Sequence, residues 1–146
     1  MIKKEHYDYN RFLKDTKSIM VKVKKYNPDS IVAVARGGVT FGHFLANGLG
    51  LNFLFTINSI HYNDTKKLDS FCISNIPDLT NFKRVLIVDD IVDSGETMQE
   101  ILKILKNKYP TIDFKIATLF YKKEAIIKAD FTINEAKNWI EFFWEV

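Results

Sequence analysis

The stretch Arg84–Thr97, RVLIVDDIVDSGET, constrains this chain more than any other. After Arg84 its first residues are β-branched or leucine with no polar alternation, the pattern of a strand covered on both faces. Such a strand belongs inside a parallel sheet, because crossover helices are what cover both faces. Two adjacent carboxylates, Asp89 and Asp90, end the run; Ile91 and Val92 follow, then Asp93, and Ser94-Gly95-Glu96-Thr97 opens a helix. Ligands of open parallel sheets bind beyond the carboxyl ends of the strands, so this exit is the first place to look for chemistry.

The rest of the chain alternates in the same way. Phe12, Ile19, Val23 and Tyr26 recur at helical spacing over Tyr9–Tyr26, and Asn27-Pro28 closes the helix. Ser30–Ala35 (SIVAVA) predicts a second fully buried strand, which ends at Arg36-Gly37-Gly38. Val39–Leu49 returns to helical spacing with Gly50 as its stop. Asn52–Ile60 predicts a strand, and Phe71–Ile76 a short one broken by Pro77-Asp78. His61–Ser70, polar and without period, predicts a long loop of the kind that acts as a mobile lid. Met98–Tyr109 predicts a helix, Phe114–Tyr121 a strand and Phe131–Ile133 a last short one. Strands alternating with helices give an α/β fold: a mostly parallel central sheet with helices on both faces. At 146 residues, without linker or repeat, the chain is expected to form one domain, 1–146.

Composition narrows the function. Apolar residues are 47% and charged residues 27%, enough for a real core. The net charge is +3 from 21 basic and 18 acidic residues, and the lysines are spread out rather than gathered in a stripe, so no nucleic-acid partner is expected. No apolar run reaches the roughly 18 residues of a membrane span, and MIKKEHYDYN lacks the apolar stretch of a signal peptide. A cytoplasmic protein with no membrane partner is expected. The single Cys72 agrees with a reducing compartment, and any metal would be bound by oxygen.

At the Arg84–Thr97 exit, Ser94 and Thr97 supply hydroxyls and Gly95 allows close backbone approach. The free N–H groups of the helix start attract anions, so the segment reads as a phosphate cradle. Asp89 and Asp90 could accept from sugar hydroxyls or hold Mg²⁺. Asp93 with Glu96 three residues on also fits a capping box, and for those two residues alone that is the preferred reading. A capping box leaves unexplained three aspartates in five positions, which repel one another unless something positive is bound.

VLIVDDIVDSGET resembles the 5-phosphoribosyl-1-pyrophosphate (PRPP) signature of the type I phosphoribosyltransferases. SIVAVARGGVTFGHFLANGLGL is similar to the first strand and pyrophosphate loop of the xanthine-guanine enzymes of that family, and ADFTINEAKNWIEFFWEV to their base-binding end. The resemblance implies the type I phosphoribosyltransferase fold and Mg²⁺-dependent purine salvage, in which guanine, xanthine or hypoxanthine is joined to PRPP. It implies a homo-oligomer, dimer or tetramer, with PRPP and a purine base as its partners.

Carried over by residue, the resemblance implies a PRPP-binding run of Asp89, Asp90, Ile91, Val92, Asp93, Ser94, Gly95, Glu96 and Thr97. Asp89 and Asp90 would take the ribose hydroxyls and the metal. Asp93 would be catalytic, exchanging a proton at purine N7. Arg36 and Gly37 would bind pyrophosphate, next to a non-proline cis peptide at Ala35-Arg36, although a bare Arg-Gly-Gly is more often an ordinary turn. Lys122 would donate to purine O6; alone it reads as a solvated lysine, and Lys123 is its rival. Trp139 would stack on the base and the Ile140 backbone meet its edge, although such an aromatic tail is more often core or interface. The chain departs from the family at Glu96, whose charge must point away from phosphate. It departs again in the lid, where Tyr62 is the nearest tyrosine and Lys66 or Lys67 stands for an arginine.

Two other functions compete with this one. A regulator of the same fold would bind PRPP or nucleotide without catalysis; Asp93, Lys122 and Trp139 together speak against it. A phosphoacceptor receiver domain also uses an acid pair at a strand end, but on its first strand, whereas here the pair comes late.

Overall fold

Parallel pairing around the strand Arg84–Val92 organises the molecule. The computed structural model describes residues 2–62 and 70–146, and the backbone alone at 61, 62, 70 and 71. In chain order the elements are β1 (Lys4–Tyr7), α1 (Tyr9–Tyr26), β2 (Ser30–Ala35), α2 (Val39–Leu49), β3 (Leu54–Tyr62) and β4 (Ser70–Ser74). They continue with β5 (Arg84–Val92), α3 (Glu96–Lys108), β6 (Asp113–Tyr121), β7 (Asn134–Glu135) and β8 (Trp139–Phe142). Six strands form one sheet in the order β4-β3-β2-β5-β6-β7, and β1 with β8 form a second, two-stranded sheet. Every pair is parallel except β3 with β4.

The apolar strands lie where their composition requires. Along β5, Leu86 and Val88 join the core under α1 and α2, with Phe12, Ile19, Phe41 and Leu45. Val85 and Ile87 point the other way and join Met98, Ile101 and Leu105 of α3. The strand is thus buried on both faces by helices, as its unbroken apolar run predicts. Gly42 of α2 sits over Ala33 of β2 so closely that a Cβ there would lie 2.9 Å from the Ala33 methyl.

Several boundaries differ from expectation. β3 runs on through His61 and Tyr62 and pairs antiparallel with β4 from Ser70, so both ends of the expected His61–Ser70 loop are strand. Residues 63–69, including Lys66 and Lys67, lie outside the described residues. Phe131 makes only an isolated bridge to Ala117, and the strand that follows is Asn134–Glu135. The sheet of β1 and β8 was not anticipated. Neither four-residue segment shows a clear period, and the pairing is anchored by Tyr7, the last residue of β1, which is fully buried. Its ring meets Phe120 and Phe142 edge-on at 4.9 and 5.8 Å. Its hydroxyl donates to Asp15 Oδ2 at 2.7 Å, and Asn134 Nδ2 donates to the same oxygen at 2.9 Å. Burial is the first cause that raises the Tyr7 phenol far above its ordinary range, with the Asp15 bond next. These contacts fix the small sheet on the carboxyl end of the large one.

Candidate active site

The exits of β2 and β5 lie side by side because Ser30–Ala33 pair in register with Val85–Val88. The turn Arg36-Gly37-Gly38 therefore runs against the acid pair. A Cβ on Gly37 would stand 2.6 Å from Asp90 Oδ2, and one on Gly38 would strike Val88 O and Asp89 Cα. Only a backbone without side chains passes there. The peptide Ala35-Arg36 is cis, as the resemblance implies.

Asp89 and Asp90 turn one oxygen each onto the backbone. Asp90 N donates to Asp89 Oδ1 at 2.8 Å, and Ile91 N to Asp90 Oδ1 at 2.7 Å. Burial, and next the charge of Asp90, hold the Asp89 carboxyl well above the usual carboxylate range. Asp90 is raised as well, by burial first and with the Glu145 charge adding to it, against the hydrogen bonds it accepts. Among the described residues neither carboxylate makes an ion pair. Among the described residues no group of three or more His, Cys, Asp or Glu gathers to hold a metal. Two hard carboxylates with open sides fit Mg²⁺, which keeps waters and completes its shell with substrate oxygens. Asp89 and Asp90 would hold it.

Beyond Val92 the chain turns through Asp93, Ser94 and Gly95 into α3. Gly95 adopts φ 89° and is the N-cap, with no side-chain capping bond. The capping box expected of Asp93 and Glu96 does not form, because the helix begins at Glu96 itself; Ser94 Oγ instead accepts from Glu96 N at 3.3 Å. The turn is held from outside by the segment after β6. Lys122 N donates to Val92 O at 3.0 Å and Ile126 N to Ser94 O at 2.9 Å, while a Cβ on Gly95 would lie 2.9 Å from Ile127 Cγ2. No linear pattern announces this buttress.

Two cavities meet at Asp90, Ile91 and Asp93. One, of about 310 Å³, is lined by Arg36, Gly37, Asp89, Val92, Ser94, Gly95 and Thr97, with Ser59 from β3. Glu96 is exposed and does not line it. The other, of about 590 Å³, is lined by Lys122, Trp139 and Ile140, together with Ile2, Lys3, Lys137, Asn138 and Glu145. Lys122 Nζ sits 2.7 Å from Asp93 Oδ1. Lys123 is exposed and lines neither cavity. Ile140 is buried, and Trp139, 59% exposed, leaves a ring free at the rim. The sequence reading missed Lys3, Asn138 and Glu145, whose places depend on the β1–β8 sheet. The structure brings together every expected site residue except Glu96, and Lys66, which is outside the described residues.

Residues 4–146 match the family of the phosphoribosyl transferase domain. The chain belongs to that family. It superposes on the xanthine-guanine-hypoxanthine phosphoribosyltransferase of Helicobacter pylori with a TM-score of 0.92 and 41% identity, covering 99% of this chain and 95% of that one. A xanthine-guanine phosphoribosyltransferase of Roseobacter denitrificans is 27% identical over 158 residues, 97% of this chain and 85% of the relative. The transcriptional regulator GfcR of Methanocaldococcus jannaschii is 34% identical over 97 residues, 64% of this chain, and the match spans 46% of that regulator. The Helicobacter and Roseobacter relatives, each matched over most of its length, are purine phosphoribosyltransferases, and this phosphoribosyltransferase is an enzyme of the same class. None of its described helices is long and apolar enough to cross a membrane.

Proposed function

We propose that this phosphoribosyltransferase joins a 6-oxopurine, guanine, xanthine or hypoxanthine, to PRPP with Mg²⁺ and releases pyrophosphate. The observation that carries this reading is the meeting of the two cavities at Asp90–Asp93, one edged by the phosphate turn and the other by the Lys122–Asp93 pair. The 5′-phosphate fits the N–H groups and hydroxyls of Asp93–Thr97; Ile91, Val92 and Glu96 contribute backbone only. The ribose hydroxyls fall to Asp89 and Asp90, and pyrophosphate to Arg36 and the Gly37 backbone. Mg²⁺, when bound by Asp89 and Asp90, supplies positive charge to the departing pyrophosphate.

Breaking the bond from ribose C1 to pyrophosphate leaves an oxocarbenium-like ribose, as in other glycosyl transfers. Arg36 neutralises charge on the leaving group, and the acid pair stabilises charge on the sugar. The base is held by polarity. Lys122 is a donor without acceptor capacity and suits the O6 oxygen, while the Asp93 carboxylate accepts the N7–H proton. In the free protein these two groups bond each other at 2.7 Å, so a 6-oxopurine replaces one matched donor and acceptor with another. Trp139 stacks on the ring, and Ile140 offers its backbone to the edge.

The test is to incubate PRPP with guanine, xanthine, hypoxanthine and adenine, each with and without Mg²⁺, and to follow nucleotide formation. Metal-dependent product from the three oxopurines and little from adenine is expected; no product from any of them refutes the reading. The likeness to GfcR favours a second reading, a regulator that binds PRPP or nucleotide. It requires binding without turnover and a DNA mobility shift in the same preparations.

A further inference from the structure

The larger cavity carries more cationic side chains than the reaction above uses. Its charged groups are Lys3, Lys122 and Lys137 against Asp90, Asp93 and Glu145. They are not mixed evenly. Asp93 is paired with Lys122 at 2.7 Å. Asp90 and Glu145 also line an adjoining cavity of about 320 Å³ with Arg36, on the side assigned to pyrophosphate and metal. That leaves Lys3 and Lys137 on the wall that bears Trp139 and Ile140, and among the described residues neither makes an ion pair.

The backbone holds both at this place. Trp139 N donates to Lys3 O at 3.0 Å, and Lys4, the next residue, pairs with Glu141 at 3.6 Å instead, so the lining lysine is Lys3. Lys137 stands two residues before Trp139 on the segment that enters β8. If Asp93 and Lys122 fix the N7 and O6 side of a purine, the opposite side, with C2 and N3, faces this wall. The oxopurines differ there. Hypoxanthine carries hydrogen at C2, guanine an amino donor and xanthine a carbonyl acceptor, and xanthine alone is acidic enough to lose a ring proton near neutral pH. Two ammonium groups repel a donor and attract an anion.

We infer that Lys3 and Lys137 are specificity residues that bias this enzyme toward xanthine, taken as its monoanion. The inference rests on the 6-oxopurine reading and names the preferred member of that class. Both side chains are exposed at the rim, so each contributes as a solvent-screened charge, up to about fivefold in relative kcat/KM, and the two together roughly tenfold.

The experiment compares the full chain with Lys3→Gln, Lys137→Gln and the double variant. The readout is the ratio of kcat/KM for xanthine to that for hypoxanthine and for guanine, from pH 6 to 8.5 and at low and high salt. Calorimetry of xanthosine and inosine monophosphates runs alongside. In the wild type the xanthine ratios should rise with pH as the base ionises and fall with salt. In the double variant they should drop about tenfold and lose both dependences, and preference for the xanthine nucleotide should weaken in parallel. Ratios that the double variant leaves unchanged, with normal turnover, overturn the lysine assignment and leave the 6-oxopurine reading intact. Absence of turnover with every base overturns the catalytic reading instead, and the calorimetric preference then decides the lysine assignment alone.

Discussion

Lys122→Ala separates a structural lysine from a base-reading one. Its ammonium lies 2.7 Å from Asp93 Oδ1, and the two side chains are 41% and 65% exposed. At that separation Coulomb's law in the dielectric of water gives about 1.5 kcal/mol. Screening and the entropy of holding two mobile side chains reduce an exposed pair to about 0.2–1 kcal/mol. The variant should therefore melt within about 4 °C of the wild type, since a chain of this size shifts by only a few degrees per kcal/mol. Its effect on the reaction should be far larger. A site built around a hydrogen bond to a keto oxygen loses roughly 10²–10⁴ in kcat/KM when the donor goes, while adenine, which offers only donors at that position, loses little. Steady-state assays with guanine and adenine should show the gap between them narrow, and Lys123→Ala should leave it unchanged. A loss of several kcal/mol in stability with the guanine rate preserved would refute the reasoning. Loss of discrimination in Lys123→Ala instead of Lys122→Ala would do so too.

Further expectations follow from the acid pair and the turns beside it. Asp89 has its folded pKa raised above the unfolded value, so the folded state binds more protons between the two. The ligand-free protein should therefore lose stability as pH rises through that window, and Asp89→Asn should flatten the loss in urea titrations while raising the PRPP concentration needed for turnover. Equal pH slopes in variant and wild type would contradict it. Asp93→Ala should lower kcat by roughly 10²–10⁴ with PRPP binding less affected, as expected for a positioned acid or base; an unchanged rate would return Asp93 to a helix-start role. Gly37→Ala should displace Asp90, since its Cβ would stand 2.6 Å from Oδ2. Activity at limiting PRPP should drop well before stability does, and wild-type kinetics would show that the loop can move aside.

Most of the large sheet was legible because burial wrote it into composition. Ser30–Ala35 and Arg84–Val88 read as strands because both faces are covered, and α1 and α2 showed their helical stripes at the boundaries observed. What escaped depends on partners distant in sequence. β1 and β8 pair across almost the whole chain, Lys4 with Trp139 and Tyr7 with Phe142, and neither segment carries a period of its own. The start of α3 was misread for a similar reason. Asp93 and Glu96 have capping-box spacing, but Gly95 takes φ 89° with Ile127 packed over it, so tertiary contact moves the helix start past the acid.

The Lys122–Asp93 pair shows how a site can be latent in a sequence and yet require the sheet to appear. The residues are 29 apart, and no spacing rule joins them. Parallel register does. Val92 stands opposite Tyr121 in the β5–β6 pairing, so the next residue on each strand, Asp93 and Lys122, leaves the sheet as a neighbouring pair. Adjacent strands are about 4.8 Å apart, close enough for a long lysine to reach the carboxylate. Lys123 lies one residue further on, in the turn beyond the strand, and is exposed. A slip of one residue would exchange the two lysines and bring Lys123 to Asp93 in place of Lys122. Register is therefore part of the chemistry. The apolar pattern of Phe114–Tyr121, which sends Phe114 and Ile116 to one core and Ala117 and Leu119 to the other, also selects which lysine meets Asp93.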